Sequence, residues 1–221
     1  MIRLVLASAS PGRLGTLRRA GLDPHVVVSS VDEDAVVADR EREGGALGAR
    51  EVALILAQAK CRDVADSLGE GDPGDLVLGC DSVLEFDGEV HGKPHTAQEA
   101  RRRWHAMRGS SGVLHSGHWL IDRRKHDAAE ASRAVGDVAS TTVHFADLDD
   151  AEIDAYIATG EPLQVAGGFT VDGLGGPYVR RIEGDYHAVV GVSLPMVRTL
   201  LAEFGVAWHD LRPDLPRVVN D

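Results

Sequence analysis

A carboxylate, Asp81, stands directly after the apolar run Leu76-Val77-Leu78-Gly79-Cys80. Open α/β sheets bind ligands outside strand ends, so an acid placed there either lines a crevice or caps a turn. Near the N-terminus, Leu6-Ala7-Ser8-Ala9-Ser10-Pro11-Gly12-Arg13 follows an apolar start. Ser10 suits a hydroxyl N-cap, and Pro11 suits the first helical position, where a missing N–H costs nothing. The free N–H groups and positive dipole end of such a helix favour an anion above Ser8 and Ser10, phosphate in particular. Arg13 adds a cation able to hold phosphate through two nitrogens. Taken alone, the segment reads more simply as an ordinary capped helix. Lys60 sits at the rim of an apolar helix face, from which its amine can reach a pocket or water. Lys93, held before Pro94, offers a second amine on a stiffened backbone. Asp32 and Glu33, with Asp81, supply the one or two carboxylates that Mg²⁺ takes beside substrate phosphates. Asp34 suits an exposed acidic loop.

Other patterns carry no such chemistry. His115 and His118 are three apart on a predicted strand and point to opposite faces, so they do not share an ion. The glycine spacing at Gly173 and Gly175 lacks a following helix, which argues against a dinucleotide-binding loop, and no Gly-x-x-x-x-Gly-Lys-[Ser/Thr] occurs.

The elements that position these residues alternate between strand and helix patterns, which predicts an α/β domain. Strands are expected at Ile2–Leu6, His25–Val28 and Leu76–Cys80, and a helix from Pro11 to a terminating Gly21. Asp32–Asp34 is read as an acidic loop and Asp39–Gly48 as an exposed connection. Glu51–Leu68 is predicted to be an amphipathic helix with Val52, Ile55, Leu56, Ala59 and Val64 on its apolar face. Asp87-Gly88 predicts a hairpin joining Val83–Phe86 to Glu89–His91. Thr96-Ala97-Gln98-Glu99 is a capping box opening a helix through Met107. Strands follow at Leu114–Ile121 and Thr141–Phe145 with a polar loop between them. Asp149 caps another helix, Gly167–Gly176 interrupts regular structure, and Tyr178-Val179 resumes a strand. Val197–Phe204 closes the series, with residues 209–221 as a loose tail.

With 221 residues, 43% hydrophobic and 26% charged, the chain suits one soluble globular domain. No apolar run is long enough for a bilayer, and no signal peptide is evident. Cys61 and Cys80 form no C-x-x-C, so neither a disulfide framework nor a zinc site is expected, and a reducing cytoplasm fits best. A formal net charge of −12 argues against a nucleic acid polymer as partner and requires any phosphate-binding cations to be placed locally.

In order along the chain, these segments resemble the Maf family of septum-formation-associated nucleoside triphosphate pyrophosphatases. The landmarks are Leu6–Pro11 with Arg13, Asp32-Glu33, Ala57 with Lys60, Gly79–Val83, and Gly88 with Gly92-Lys93-Pro94. They continue with Thr159-Gly160-Glu161-Pro162, Ala166-Gly167, Gly173 and Val189-Val190-Gly191. The resemblance implies an elongated, two-lobed mixed sheet flanked by helices, similar to the inosine triphosphate pyrophosphatase superfamily, with a deep central cleft. It implies hydrolysis between the α and β phosphates, with a divalent metal (Mg²⁺ or Mn²⁺) and a homodimeric state. By resemblance, Asp81 activates water, Ser8, Arg13, Lys60 and Lys93 surround the phosphates, and Glu33 sits with the metal. The chain departs from the family pattern at Gly12, usually arginine, and at Gly109-Ser110, usually Gly-Arg. It departs again at Val165, usually lysine, and at Asp172, usually glutamine, where the family distinguishes nucleobases. The two functions in view are an active pyrophosphatase clearing non-standard nucleotides and, alternatively, a nucleotide-binding regulator of cell division with little turnover.

Overall fold

The first strand, β1 (Leu4–Ala7), is buried throughout, as a strand covered on both faces must be. Leu4 and Leu6 pack with Leu17 of α1 (Pro11–Arg19) and Leu200 and Leu201 of α7 (Leu194–Glu203). Val5 and Ala7 point the other way, onto Cys61 and Val64 of α3 (Ala49–Ser67). The computed structural model describes residues 2–69, 71–72, 74–124 and 133–212.

The seven-stranded mixed sheet runs β2-β1-β3-β5-β6-β7, with β4 paired back onto β3. β2 (His25–Val26) and β3 (Leu76–Phe86) flank β1 in parallel. The pairings of β3 with β4 (Glu89–His91) and with β5 (Ser111–Asp122) are antiparallel, as are those of β5 with β6 (Arg133–Phe145) and of β6 with β7 (Val179–Glu183). The β3–β4 turn is the expected hairpin, with Asp87 and Gly88 both at positive φ (51° and 76°).

β1 pairs with β3 only as far as Ala7 opposite Gly79, and β4 takes up the same edge of β3 only at Leu84 opposite His91. Among the described residues, Cys80 to Val83 therefore have no strand neighbour along that edge, while β5 holds the other. This gap floors the cleft. Beyond it, a second cluster packs around Trp104 of α4 (Ala97–Met107), with Phe145, Phe169 and Tyr156 of α5 (Asp150–Ala158). Ring centroids stand 5.6 Å (Trp104–Tyr156) and 5.7 Å (Trp104–Phe145) apart in edge-to-face geometry. β3, through Leu78 and Leu84, and β5, through Leu120 and Leu114, contribute to both clusters.

Three expectations need correction. Residues expected as an acidic loop and an exposed connection form one helix, α2 (Glu33–Gly44). It buries none of its residues fully, so no apolar period announced it, yet Asp32 caps Ala35 N–H and two acids fill its first turn. β6 begins at Arg133 rather than Thr141, because its pairing with β5 carries a polar stretch that shows little strand character alone. The tail expected to be loose from residue 209 is packed as far as Leu211, which a 3₁₀ turn (Trp208–Leu211) places in the core. Residues 213–221 lie outside the described residues.

Candidate active site

Along β3 the odd-numbered residues face α3: Val77 meets Cys61 and Val64, and Val83 meets Ala49 and Val52. Two glycines let the helix come close. A Cβ on Gly79 would lie 2.3 Å from the Ala57 carbonyl oxygen, and one on Gly117 would lie 2.1 Å from that of Ala53. This approach brings Lys60, only 9% exposed, onto Asp81, 6% exposed. The Lys60 ammonium lies 2.5 Å from Asp81 Oδ1 and 2.8 Å from Glu33 Oε1. Glu33 opens α2, so the helix missed from sequence is what carries a carboxylate to this point.

The even-numbered face of β3 carries the arginine. Arg13 Nε donates to the Gly191 carbonyl (2.9 Å), and its Nη1 donates to Ser8 Oγ (3.0 Å) and to the Cys80 carbonyl (2.8 Å). That carbonyl belongs to the unpaired edge of β3. Arg13 Nη2 donates to Ser82 Oγ (3.3 Å), which bonds Ser116 Oγ (2.8 Å), and Ser116 donates to the Ala188 carbonyl (2.7 Å). Ser10 caps α1 as expected, accepting from Arg13 N–H. Lys93 is exposed and makes no ion pair among the described residues. Its backbone is fixed on both sides: the Gly92 carbonyl accepts from Gly167 N–H (3.1 Å) and Arg103 (2.6 Å), and Pro94 is buried.

A cavity of about 1120 Å³ gathers Ser8, Ser10, Arg13, Glu33, Lys60, Asp81, Lys93 and Asp172. Every residue nominated from the sequence lines it. Gly12 and Val165 also line this cavity, whereas Ser110 lies in a separate hollow beside Arg180 and Arg181. Sequence reasoning missed Ser82 and Ser116 as supports of Arg13. Ser82 adjoins Asp81 in sequence, but its role depends on register with β5, which no local signal reveals.

Burial dominates at Asp81 and pushes its carboxyl above the ordinary value; the charges of Lys60 and Arg13 offset this only in part, and Glu33 adds to it. At Glu33 burial also opposes the charge, but the hydrogen bond and charge of Lys60, aided by Lys93 and Arg13, outweigh it and hold the carboxyl low. Two acids on one lysine thus differ in proton affinity, an arrangement suited to one proton acceptor and one fixed anion. Cys80 is no nucleophile, since burial pushes its thiol up to about 11.

The histidines separate as expected. His115 bonds Ser140 Oγ and Glu85, while on the other face His118 Nε2 accepts from Ser193 N–H (2.8 Å). Among the described residues no group of three or more His, Cys, Asp or Glu is placed to hold a metal. Glu33 and Asp81 nonetheless face one point, with oxygen donors only and a cationic ammonium between them. That donor set fits a hard divalent ion sharing its shell with a polyphosphate, and fits poorly an ion bound by protein alone.

Fold and cleft together define an α/β protein built to take a polyanionic ligand beside a buried carboxylate. The model of Maf-like proteins matches residues 3–204, and the chain belongs to that family. It is 52% identical over 211 residues to a nucleoside triphosphate pyrophosphatase of Leifsonia xyli, covering 95% of this chain and 96% of that one. A protein of the same name from Salinispora tropica is 55% identical over 93% of this chain and 85% of its own. Another, from Rhodococcus jostii, is 50% identical over 99% and 100%. Among the described residues no helix is long and apolar enough to cross a membrane.

Proposed function

We propose that this chain is a nucleoside triphosphate pyrophosphatase, a hydrolase that cleaves the α–β phosphoanhydride with water to give a nucleoside monophosphate and pyrophosphate. The observation that carries the reading is the joining of three cations and two carboxylates of unequal proton affinity in one cleft of a chain with net charge −12. Attack on a polyanion needs charge neutralisation more than covalent help. Arg13, fixed by Ser8, Ser82 and two carbonyls, and Lys93, on a pinned loop, supply it without reorganising. Lys60 keeps the two acids from repelling one another before substrate arrives. Asp81, with its raised affinity, takes the proton of the attacking water at a carboxylate oxygen.

Glu33 and Asp81 would hold a divalent cation, Mg²⁺ or Mn²⁺, which when bound neutralises phosphate charge and lowers the pKa of nearby water. The same reading places the protein in the cytoplasm, supported by two free buried cysteines, and takes a homodimer from family resemblance. Product analysis over a panel of natural and modified triphosphates tests the activity. Monophosphate and pyrophosphate in equal amounts are expected; diphosphate with orthophosphate, or no product from any triphosphate, overturns it.

A further inference from the structure

Glu161 lines the cleft, yet both of its oxygens are engaged within the protein. Oε1 accepts from Tyr156 Oη (3.0 Å), Thr170 Oγ1 (2.6 Å) and Gly175 N–H (2.9 Å), and Oε2 accepts from Leu174 N–H (3.0 Å). Tyr156 Oη in turn accepts from Thr170 N–H (3.2 Å). One carboxylate therefore gathers both ends of the loop from Thr170 to Gly175. The wrapping is tight: a Cβ on Gly173 would lie 2.5 Å from Glu161 Oε2, and one on Gly175 would lie 2.4 Å from Tyr156 Oη. The anchor is rigid, because Tyr156 is 2% exposed and packs edge-on against Trp104. Gly160 at φ 78° turns the chain so that Glu161 opens a 3₁₀ segment (Glu161–Gln164) facing the loop.

This loop contributes Val171, Asp172 and Gly173 to the cavity wall. Its only charged side chain is acidic, whereas the cations stand on α1, α3 and the segment after β4. With no cation of its own to hold phosphate, the loop is left, on the pyrophosphatase reading, to meet the nucleoside. We propose that Glu161 is a positioning residue that folds the loop 170–175 into the nucleoside-recognising wall, so that discrimination between nucleobases depends on its carboxylate. The inference rests on the pyrophosphatase reading for the class of ligand. Burial acts against the charge of Glu161, but its four donors outweigh that and hold the carboxyl low, so the anchor stays ionised near neutrality.

The test is equilibrium binding of inorganic tripolyphosphate and of triphosphates of four bases, without divalent metal, to wild type, Glu161→Gln and Tyr156→Phe. Glutamine must turn an N–H₂ toward a backbone donor, and phenylalanine removes only the hydroxyl while keeping the packed ring. Both variants should weaken nucleoside triphosphate binding by about tenfold and shrink the differences between bases. Tripolyphosphate affinity should stay within about twofold, because its cations lie on other elements. Unchanged base preference in both variants, or a parallel loss of tripolyphosphate affinity, overturns the proposal, as does a wild type that gains nothing from the nucleoside. Turnover of wild type with Mg²⁺, run in parallel, reads the pyrophosphatase activity separately.

Discussion

At the scale of residues, the centre of the site is one lysine serving two acids. Removing an ion-pair partner from a buried cluster leaves uncompensated charge, which is worse than never having built the pair. Lys60→Met should therefore destabilise the fold by about 3 kcal/mol in urea denaturation, with Asp81 and Glu33 left facing each other. Added Mg²⁺ should restore more stability to this variant than to wild type; equal stability of variant and wild type would remove Lys60 from its central place. The site's residue types were legible because hydroxyls at a helix start, an acid after an apolar strand and isolated cations each suggest their chemistry. Their partners were not. That Lys60 meets Asp81, 21 positions away, follows from α3 lying on β3, and no spacing along the chain encodes it.

At the scale of elements, the two glycines under α3 set the geometry. Gly79→Ala would drive a methyl into the Ala57 carbonyl, which only a shift of the helix can relieve. Overpacking of this kind costs about 1–3 kcal/mol, and the shift carries Lys60 away from Asp81. The expected outcome is a loss of kcat at temperatures where the variant remains folded, followed by circular dichroism and product release together; a folded variant with wild-type kcat would contradict it. β1 and β3 were legible from their apolar runs, α3 from the period of its apolar face, and α4 from its Thr96 capping box. α2 was not, because it is a polar helix held by its Asp32 cap and by partial packing of Val36 and Val37. β6 was legible only at its end, because its start is held by pairing with β5 rather than by hydrophobic content.

At the scale of the whole molecule, β5 is tied to α7 through His118, whose Nε2 accepts from Ser193, the cap of that helix. Burial, helped by Arg13, pushes this imidazole down to about 4, so the folded state holds it neutral while the unfolded chain titrates near 6.5. Stability from this group is complete above 6.5 and declines as pH falls toward 4, by at most about 1.4 kcal/mol per pH unit. Denaturation midpoints across that window should fall more steeply for wild type than for His118→Gln; equal slopes would show that His118 is not the group responsible. The cleft was legible only through resemblance, since composition and periodicity pointed to an α/β domain and no further. The role of Asp81 in hydrolysis is tested by measuring turnover and nucleotide binding side by side for wild type and Asp81→Asn, with Mg²⁺ or Mn²⁺ present. Wild type should release monophosphate and pyrophosphate, and the variant should still bind nucleotide but turn over at least about a hundredfold more slowly. A variant as fast as wild type, or a wild type that binds nucleotide and releases no product, would contradict it.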